Sequence, residues 1–251
     1  MNDAKTILQR VRELAPWHFD IELDYGIRTT DCNEPDADDP DKRNIATIKP
    51  EEMLLFFSKY YPQGLAGKDV LDVACNAGGY CFLAHELGAR IVDGFDVRQH
   101  WLDQAQFIKS VKYPDVKTVT FQRNNAHQFF DNGLKVYDIV LFKGIFYHLA
   151  DPIHALMQFC DAARESIVVD SDSSGEIPER CLVAISESRT HVMSGIEGLA
   201  WLPGGPMAVI EILRYKGFRA IDIAYWRRPV GDSARGRFRV IGSRALEMVP
   251  T

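Results

Sequence analysis

The sequence contains no C-x-x-C pair, no apolar run long enough to span a bilayer and no G-x-G-x-x-G phosphate fingerprint. Its five cysteines (Cys32, Cys75, Cys81, Cys160 and Cys181) are odd in number and irregularly spaced. That pattern argues against a disulfide framework or a structural zinc site, and for a reducing, cytoplasmic setting. The opening MNDAKTILQRVRELAP has the pattern of an amphipathic helix without a signal-peptide core, so neither it nor any later segment points to a membrane. Net charge is only −6, and residues 31–41 (DCNEPDADDPD) account for it with six acids and no base. A chain balanced in this way is not built as a dedicated nucleic-acid binder. One basic asymmetry remains near the C-terminus, where Arg227, Arg228, Arg235, Arg237, Arg239 and Arg244 face a single acid, Asp232.

What is present is a rhythm. The 251 residues are 46% hydrophobic, enough for one core that needs no metal or disulfide staple. After an N-terminal helical and irregular cap (1–62), short apolar runs alternate with amphipathic segments. Strands are expected at 68–74, 90–96, 117–122, 136–143 and 166–170, with helices at 50–61, 79–88, 100–112 and 152–163. Such alternation implies βαβ units and a parallel sheet. The rhythm breaks over 172–202, read as an irregular insertion and a candidate lid. It resumes with a helix at 206–216 and strands at 218–226 and 237–243, whose short connection implies an antiparallel end. The fold class expected is α/β: a doubly wound, Rossmann-like, seven-stranded, mostly parallel sheet, with an N-terminal helical extension and an insertion before the last helix. The domain over 63–251 would carry the function.

The informative stretch is LDVACNAGGY, Leu71–Tyr80. A strand ends at Asp72, turns through small residues and enters a helix after Gly78, a geometry that brings backbone N–H groups close to a ligand. Asp96 closes the next strand, where a carboxylate can accept from both hydroxyls of a ribose. The turn has no pyrophosphate glycines, so NAD is the weaker reading. S-adenosylmethionine (SAM) has no pyrophosphate, and its charged methionine end suits the acid Asp72.

DVACNAGGY resembles the D-x-G-C-N-x-G-x-Y form of the SAM motif of class I methyltransferases. YDIVLFKGIFYHLADPIHAL, Tyr137–Leu156, is similar to their fourth-strand region. Together with WHFDIELDYGIRT, Trp17–Thr29, these segments resemble the branch around the tRNA wobble-uridine (5-oxyacetic acid pathway) methyltransferase and its small-molecule relatives. The resemblance covers most of residues 17–170. It implies that Asp72, Ala74, Asn76 and Gly78 meet the methionine end of SAM, and that Asp96 holds the ribose with Val97 near the adenine. It also implies that Asn125 and Ala126 border the ring, and that Lys143 and Tyr147 lie beside the sulfonium and the substrate. Ala74 departs from the family's first glycine, and Asn125 stands where many relatives have an acid.

Methyl transfer is an in-line displacement, so the protein contributes alignment and, where needed, a base. His148 is the best-placed base, or else a structural histidine capping the next turn. Tyr147 is its neighbour at the acceptor, or a packed aromatic. His191 and Trp201 in and beside the insertion are candidate substrate residues, as are Arg227 and Arg228, whose guanidinium forks suit a carboxylate or phosphate. Arg237 and Arg239 are read by period 2 as lying on the solvent side of their strand. No metal is expected. The leading expectation is SAM-dependent methylation of a small molecule at a hydroxyl oxygen. The alternative is a methyltransferase or carboxymethyltransferase acting on a tRNA wobble uridine, the latter with a carboxylated SAM analogue. A non-catalytic SAM-binding protein comes third and an NAD-dependent oxidoreductase last.

Overall fold

The computed structural model describes residues 3–34, 48–228 and 235–245. Among these, the strands are β1 (Asp69–Val73), β2 (Ile91–Asp96), β3 (Val119–Arg123), β4 (Tyr137–Lys143), β5 (Ala163–Ser174), β6 (Leu182–Ser186), β7 (Leu199–Pro203), β8 (Ala220–Arg227) and β9 (Arg235–Ser243). The helices are α1 (Ala4–Glu13), α2 (Pro50–Tyr60), α3 (Gly79–Glu86), α4 (Gln99–Lys112), α5 (Pro152–Ala162) and α6 (Met207–Tyr215). A seven-stranded sheet runs β3-β2-β1-β4-β5-β9-β8, and β6 and β7 form a separate two-stranded sheet. The doubly wound α/β expectation holds. The acids 36–41 of the acidic segment lie outside the described residues. No helix among the described residues is long and apolar enough to cross a membrane.

The chain divides into two compact units, one formed by the residues up to Gly67 with Cys75–Asn124, the other by Lys68–Ala74 with Asn125–Pro250. In the first unit, β2 and β3 pair in parallel. The Asp3 carboxylate accepts from the Thr6 N–H at 2.8 Å and caps α1, which buries Ile7 and Val11. The segment after α1 is tied down by polar bonds. Trp17 is fully buried, its indole donates to the Val11 carbonyl at 2.8 Å, and its backbone N–H donates to Asn33 at 2.7 Å. Gln104 on α4 donates to the Leu14 and Pro16 carbonyls at 2.6 and 2.8 Å. These backbone groups are thus paired rather than left to cost free energy.

In the second unit, β1, β4 and β5 are parallel, and β9 runs antiparallel to both β5 and β8. β1 and β4 are buried on both faces, which explains the adjacent apolar residues Val70–Leu71 and Ile139–Phe142 in them. The antiparallel end expected from the last two strands is present. The segment 172–202 differs from its irregular reading. β5 continues to Ser174, and Leu182–Ser186 pairs with Leu199–Pro203 as an antiparallel ribbon. The twelve residues between β6 and β7 hid that pairing, because only short loops leave a hairpin signature in sequence.

Candidate active site

In the first unit the turn from Cys75 into α3 is a cradle of backbone. Asn76 and Gly78 take left-handed conformations, with φ of 52° and 77°. Asn76 tolerates it because its side-chain oxygen accepts from the Ala77 N–H at 2.7 Å. At Gly78 a methyl group would strike the Phe121 ring, and at Gly79 it would strike Phe19. The small residues therefore serve close packing of α3 against β3 and against the segment after α1. Phe19 belongs to that segment, whose register is held by Thr29. The Thr29 hydroxyl donates to the Phe19 carbonyl at 2.6 Å and accepts from Ile21 N–H at 2.9 Å.

Asp96 ends β2 and is buried. Burial pushes its carboxyl up to about 6, against the pull of the backbone N–H groups that it accepts. One oxygen takes the Arg98 N–H at 2.9 Å and the other the Asn76 N–H at 3.0 Å. Each oxygen has further lone-pair capacity, so the carboxylate suits a ligand presenting two adjacent O–H donors, and a ribose is one. Val97 follows, its carbonyl accepting from the Arg123 guanidinium at 3.1 Å.

In the second unit Asp72 is buried in β1, and Ala74 after it has φ of 56°. Lys143 ends β4 with its ammonium 3.5 Å from Asp170 of β5. Burial pulls this lysine down to about 8, with Arg239 and Arg237 adding to the effect and Asp170 and Asp72 opposing it. Asp170 is the hub. Arg237 approaches one oxygen at 2.6 Å, Arg239 the other at 2.8 Å, and Arg237 reaches on to Asp172 at 3.0 Å. Burial alone would raise Asp170, yet Lys143, Arg237 and Arg239 together hold it down at about 2. Tyr147 is bonded to Arg237, and burial pushes its phenol up to about 12. The period-2 reading placed Arg237 and Arg239 correctly on one face but wrongly toward solvent. β5 presents Asp170 and Asp172 opposite them in register, and the pairs close there.

His148, in a short 3-10 turn after β4, has Nδ1 at 2.8 and 2.9 Å from the two carboxylate oxygens of Glu187. Its ring lies 4.1 Å from that of Tyr147, centroid to centroid. The sequence reading missed Glu187, which sits just past β6 and 39 residues from His148, with no local motif to mark it. Asn125 accepts the His127 N–H at 3.0 Å, and Ala126 is buried beside it in sequence. Trp201, on β7, donates its indole N–H to the Ala150 carbonyl at 2.9 Å, fixing the ribbon to the segment that follows His148. His191 is exposed in the β6–β7 connection and accepts the Met193 N–H at 3.2 Å. Arg227 is exposed, and the Arg228 guanidinium stacks 3.9 Å over the Trp226 ring.

The strand order and the turn into α3 define a doubly wound, nucleoside-binding type of α/β protein. The chain belongs to the methyltransferase domain family, whose model matches residues 65–203. It is 30% identical over 171 residues to the tRNA U34 carboxymethyltransferase of Ectopseudomonas mendocina (strain ymp), covering 64% of this chain and 48% of that protein. A second such carboxymethyltransferase, from Nautilia profundicola, is 33% identical over 94 residues, 38% of this chain and 30% of that one. The chain thus spans about half the length, 48%, of the first of these relatives. Among solved structures, the N-terminal domain of EvdMO1, crystallised in the presence of SAH and D-fucose, superposes with a TM-score of 0.73 at 17% identity, covering 97% of both chains. Magnesium protoporphyrin IX methyltransferase (ChlM) from Synechocystis PCC 6803, with bound SAM, gives 0.54 at 16% identity over 78% of this chain and 79% of that one. At such identities these structures bear on the fold.

Proposed function

We propose that this methyltransferase moves a methyl group from SAM to a hydroxyl oxygen of a small-molecule acceptor. The observation that carries the donor is Asp96, a buried carboxylate at the end of β2 that accepts two backbone N–H groups and keeps capacity for a diol. Bound SAM supplies a methyl carbon activated by positive sulfur. In this reading Asp96 takes the ribose hydroxyls, and Val97, Asn125 and Ala126 border the adenine. Asp72, Ala74, Asn76 and Gly78 meet the methionine end. Lys143 and Tyr147, held by the Asp170–Arg237 network, line the acceptor side, and His148 takes the hydroxyl proton. His191, Trp201, Arg227 and Arg228 are acceptor-side candidates of a second rank. His191 and Arg227 are exposed, while the Trp201 indole and the Arg228 guanidinium are engaged within the chain.

The near balance of charge outside 31–41 supports a small acceptor over a polyanion. Similarity to the tRNA U34 carboxymethyltransferases favours a second reading, a wobble-uridine acceptor. One experiment separates them. Protein incubated with methyl-labelled SAM and a cell extract should place label in the small-molecule fraction. Label confined to RNA would replace the first reading with the second.

A further inference from the structure

We propose that Glu187 is a positioning residue for His148, holding the imidazole with its proton on Nδ1 so that Nε2 is the atom that takes the acceptor's hydroxyl proton. This rests on the reading of His148 as the base, and it assigns a task to the inserted β6–β7 ribbon. Both oxygens of the Glu187 carboxylate lie within 2.9 Å of Nδ1. Glu187 is held below the usual carboxylate range because the His148 contacts, the Gly195 N–H and the charge of Arg235 outweigh its burial. An ionised carboxylate only accepts hydrogen bonds, so the proton between the two groups sits on the imidazole. A neutral imidazole protonated at Nδ1 presents its lone pair at Nε2.

The support around Glu187 is built for precision of that one contact. Its carboxylate also accepts the Gly195 N–H at 2.8 Å, and its own backbone N–H donates to the Gly198 carbonyl at 3.1 Å. Gly195 runs so close to His148 that a methyl group there would collide with the His148 carbonyl. On the other side, the His148 backbone N–H closes its turn on the Ile145 carbonyl at 2.9 Å. Side-chain exposures of 19% for His148 and 13% for Glu187 place the pair mostly out of water, unlike a surface ion pair free to wander. In the step itself the acceptor oxygen forms a bond to the methyl carbon while the carbon–sulfur bond breaks, its electron pair staying on sulfur. The hydroxyl proton passes to Nε2, and the imidazolium so formed is stabilised by the Glu187 carboxylate and later releases the proton to water.

Histidine nitrogen NMR on the protein with bound S-adenosylhomocysteine (SAH) tests this without any acceptor. Wild type should show His148 protonated at Nδ1 and not at Nε2 when neutral, and Glu187→Gln should lose that preference. In parallel, label transfer from SAM to the small-molecule fraction of an extract should fall at least about tenfold in kcat for Glu187→Gln, with KM for SAM and SAH affinity unchanged. Glu187→Asp, which keeps the charge, should restore part of the rate. An Nε2-protonated His148 in wild type would overturn the proposal. So would a Glu187→Gln variant with wild-type turnover, or one whose losses in turnover and in SAH affinity run in step, as a merely structural bridge would give. Failure of wild type to bind SAH would instead count against the methyltransferase site reading itself.

Discussion

Asp96 and Asp170 are carboxylates of parallel strands with similar burial, 5% and 1% exposed, and opposite electrostatics. Asp96 is met by backbone N–H groups and rises to about 6, while Asp170 is met by Lys143, Arg237 and Arg239 and falls to about 2. Burial raises both. What differs is how much full charge the chain supplies to offset it, since Arg98 pulls on Asp96 whereas Lys143, Arg237 and Arg239 all pull on Asp170. Asp170 is surrounded by three cations of the chain and acts as the hub of an ion-pair network. Asp96 keeps lone-pair capacity on both oxygens, which the hydroxyls of the proposed ligand would use.

The largest effect should come from breaking the ion-paired site. Asp170→Ala leaves Lys143, Arg237 and Arg239 around an emptied hub, and loss of one partner in a buried ionic cluster costs about 3–5 kcal/mol. Urea unfolding should show that loss directly. A change below 1 kcal/mol would mean that the cluster is solvated and the contrast with Asp96 overstated. Asp96→Ala should do the reverse, leaving the fold standing while SAH affinity measured by calorimetry drops roughly a hundredfold, the value of losing two charge-assisted hydrogen bonds partly offset by water. Equal SAH affinity in the variant would remove Asp96 from the site.

Acidity sharpens the same pair. Asp96 has a folded value raised above the ordinary 3.8, so its contribution to stability is fully present below about 4 and is lost as pH rises through about 6. Asp170 is depressed, so its contribution is present above about 4 and is lost as pH falls through about 2. A diol ligand favours the ionised Asp96, and SAH affinity should therefore rise about tenfold between pH 5 and 7. Calorimetry across that range checks it, and the Asp96→Ala variant should be flat. A wild-type affinity independent of pH would place the Asp96 titration elsewhere.

The same contrast decides what was legible in the sequence. Asp72, the turn to Gly78 and Asp96 lie within one βαβ stretch, and spacing along the chain is enough to bring such residues to successive strand ends. The parallel core was legible for a similar reason, since β1 and β4 are short runs buried on both faces. Partners across the later strands were not. Asp170 and Arg239 are 69 residues apart, and His148 and Glu187 are 39 apart across a ribbon whose pairing left no turn signature. Period 2 grouped Arg237 with Arg239 but carried no information on which face met acids. That required the β5–β9 register, a long-range property of the sheet.

The smallest effect concerns the turn that the proposed donor site shares with the fold. Ala74 follows β1 with φ of 56°, a conformation in which an L side chain crowds the following carbonyl. The strain is worth about 1–2 kcal/mol, against which glycine loses about 0.5–1 kcal/mol more backbone entropy on folding. Ala74 is half-buried, so removing its methyl sacrifices little apolar contact. Ala74→Gly should therefore stabilise the ligand-free protein by about 0.5–1 kcal/mol in urea unfolding, with the fold unchanged. A loss of stability would show that the methyl packs against the turn strongly enough to outweigh the strain. In that case packing at Ala74, not backbone freedom, holds the turn in shape.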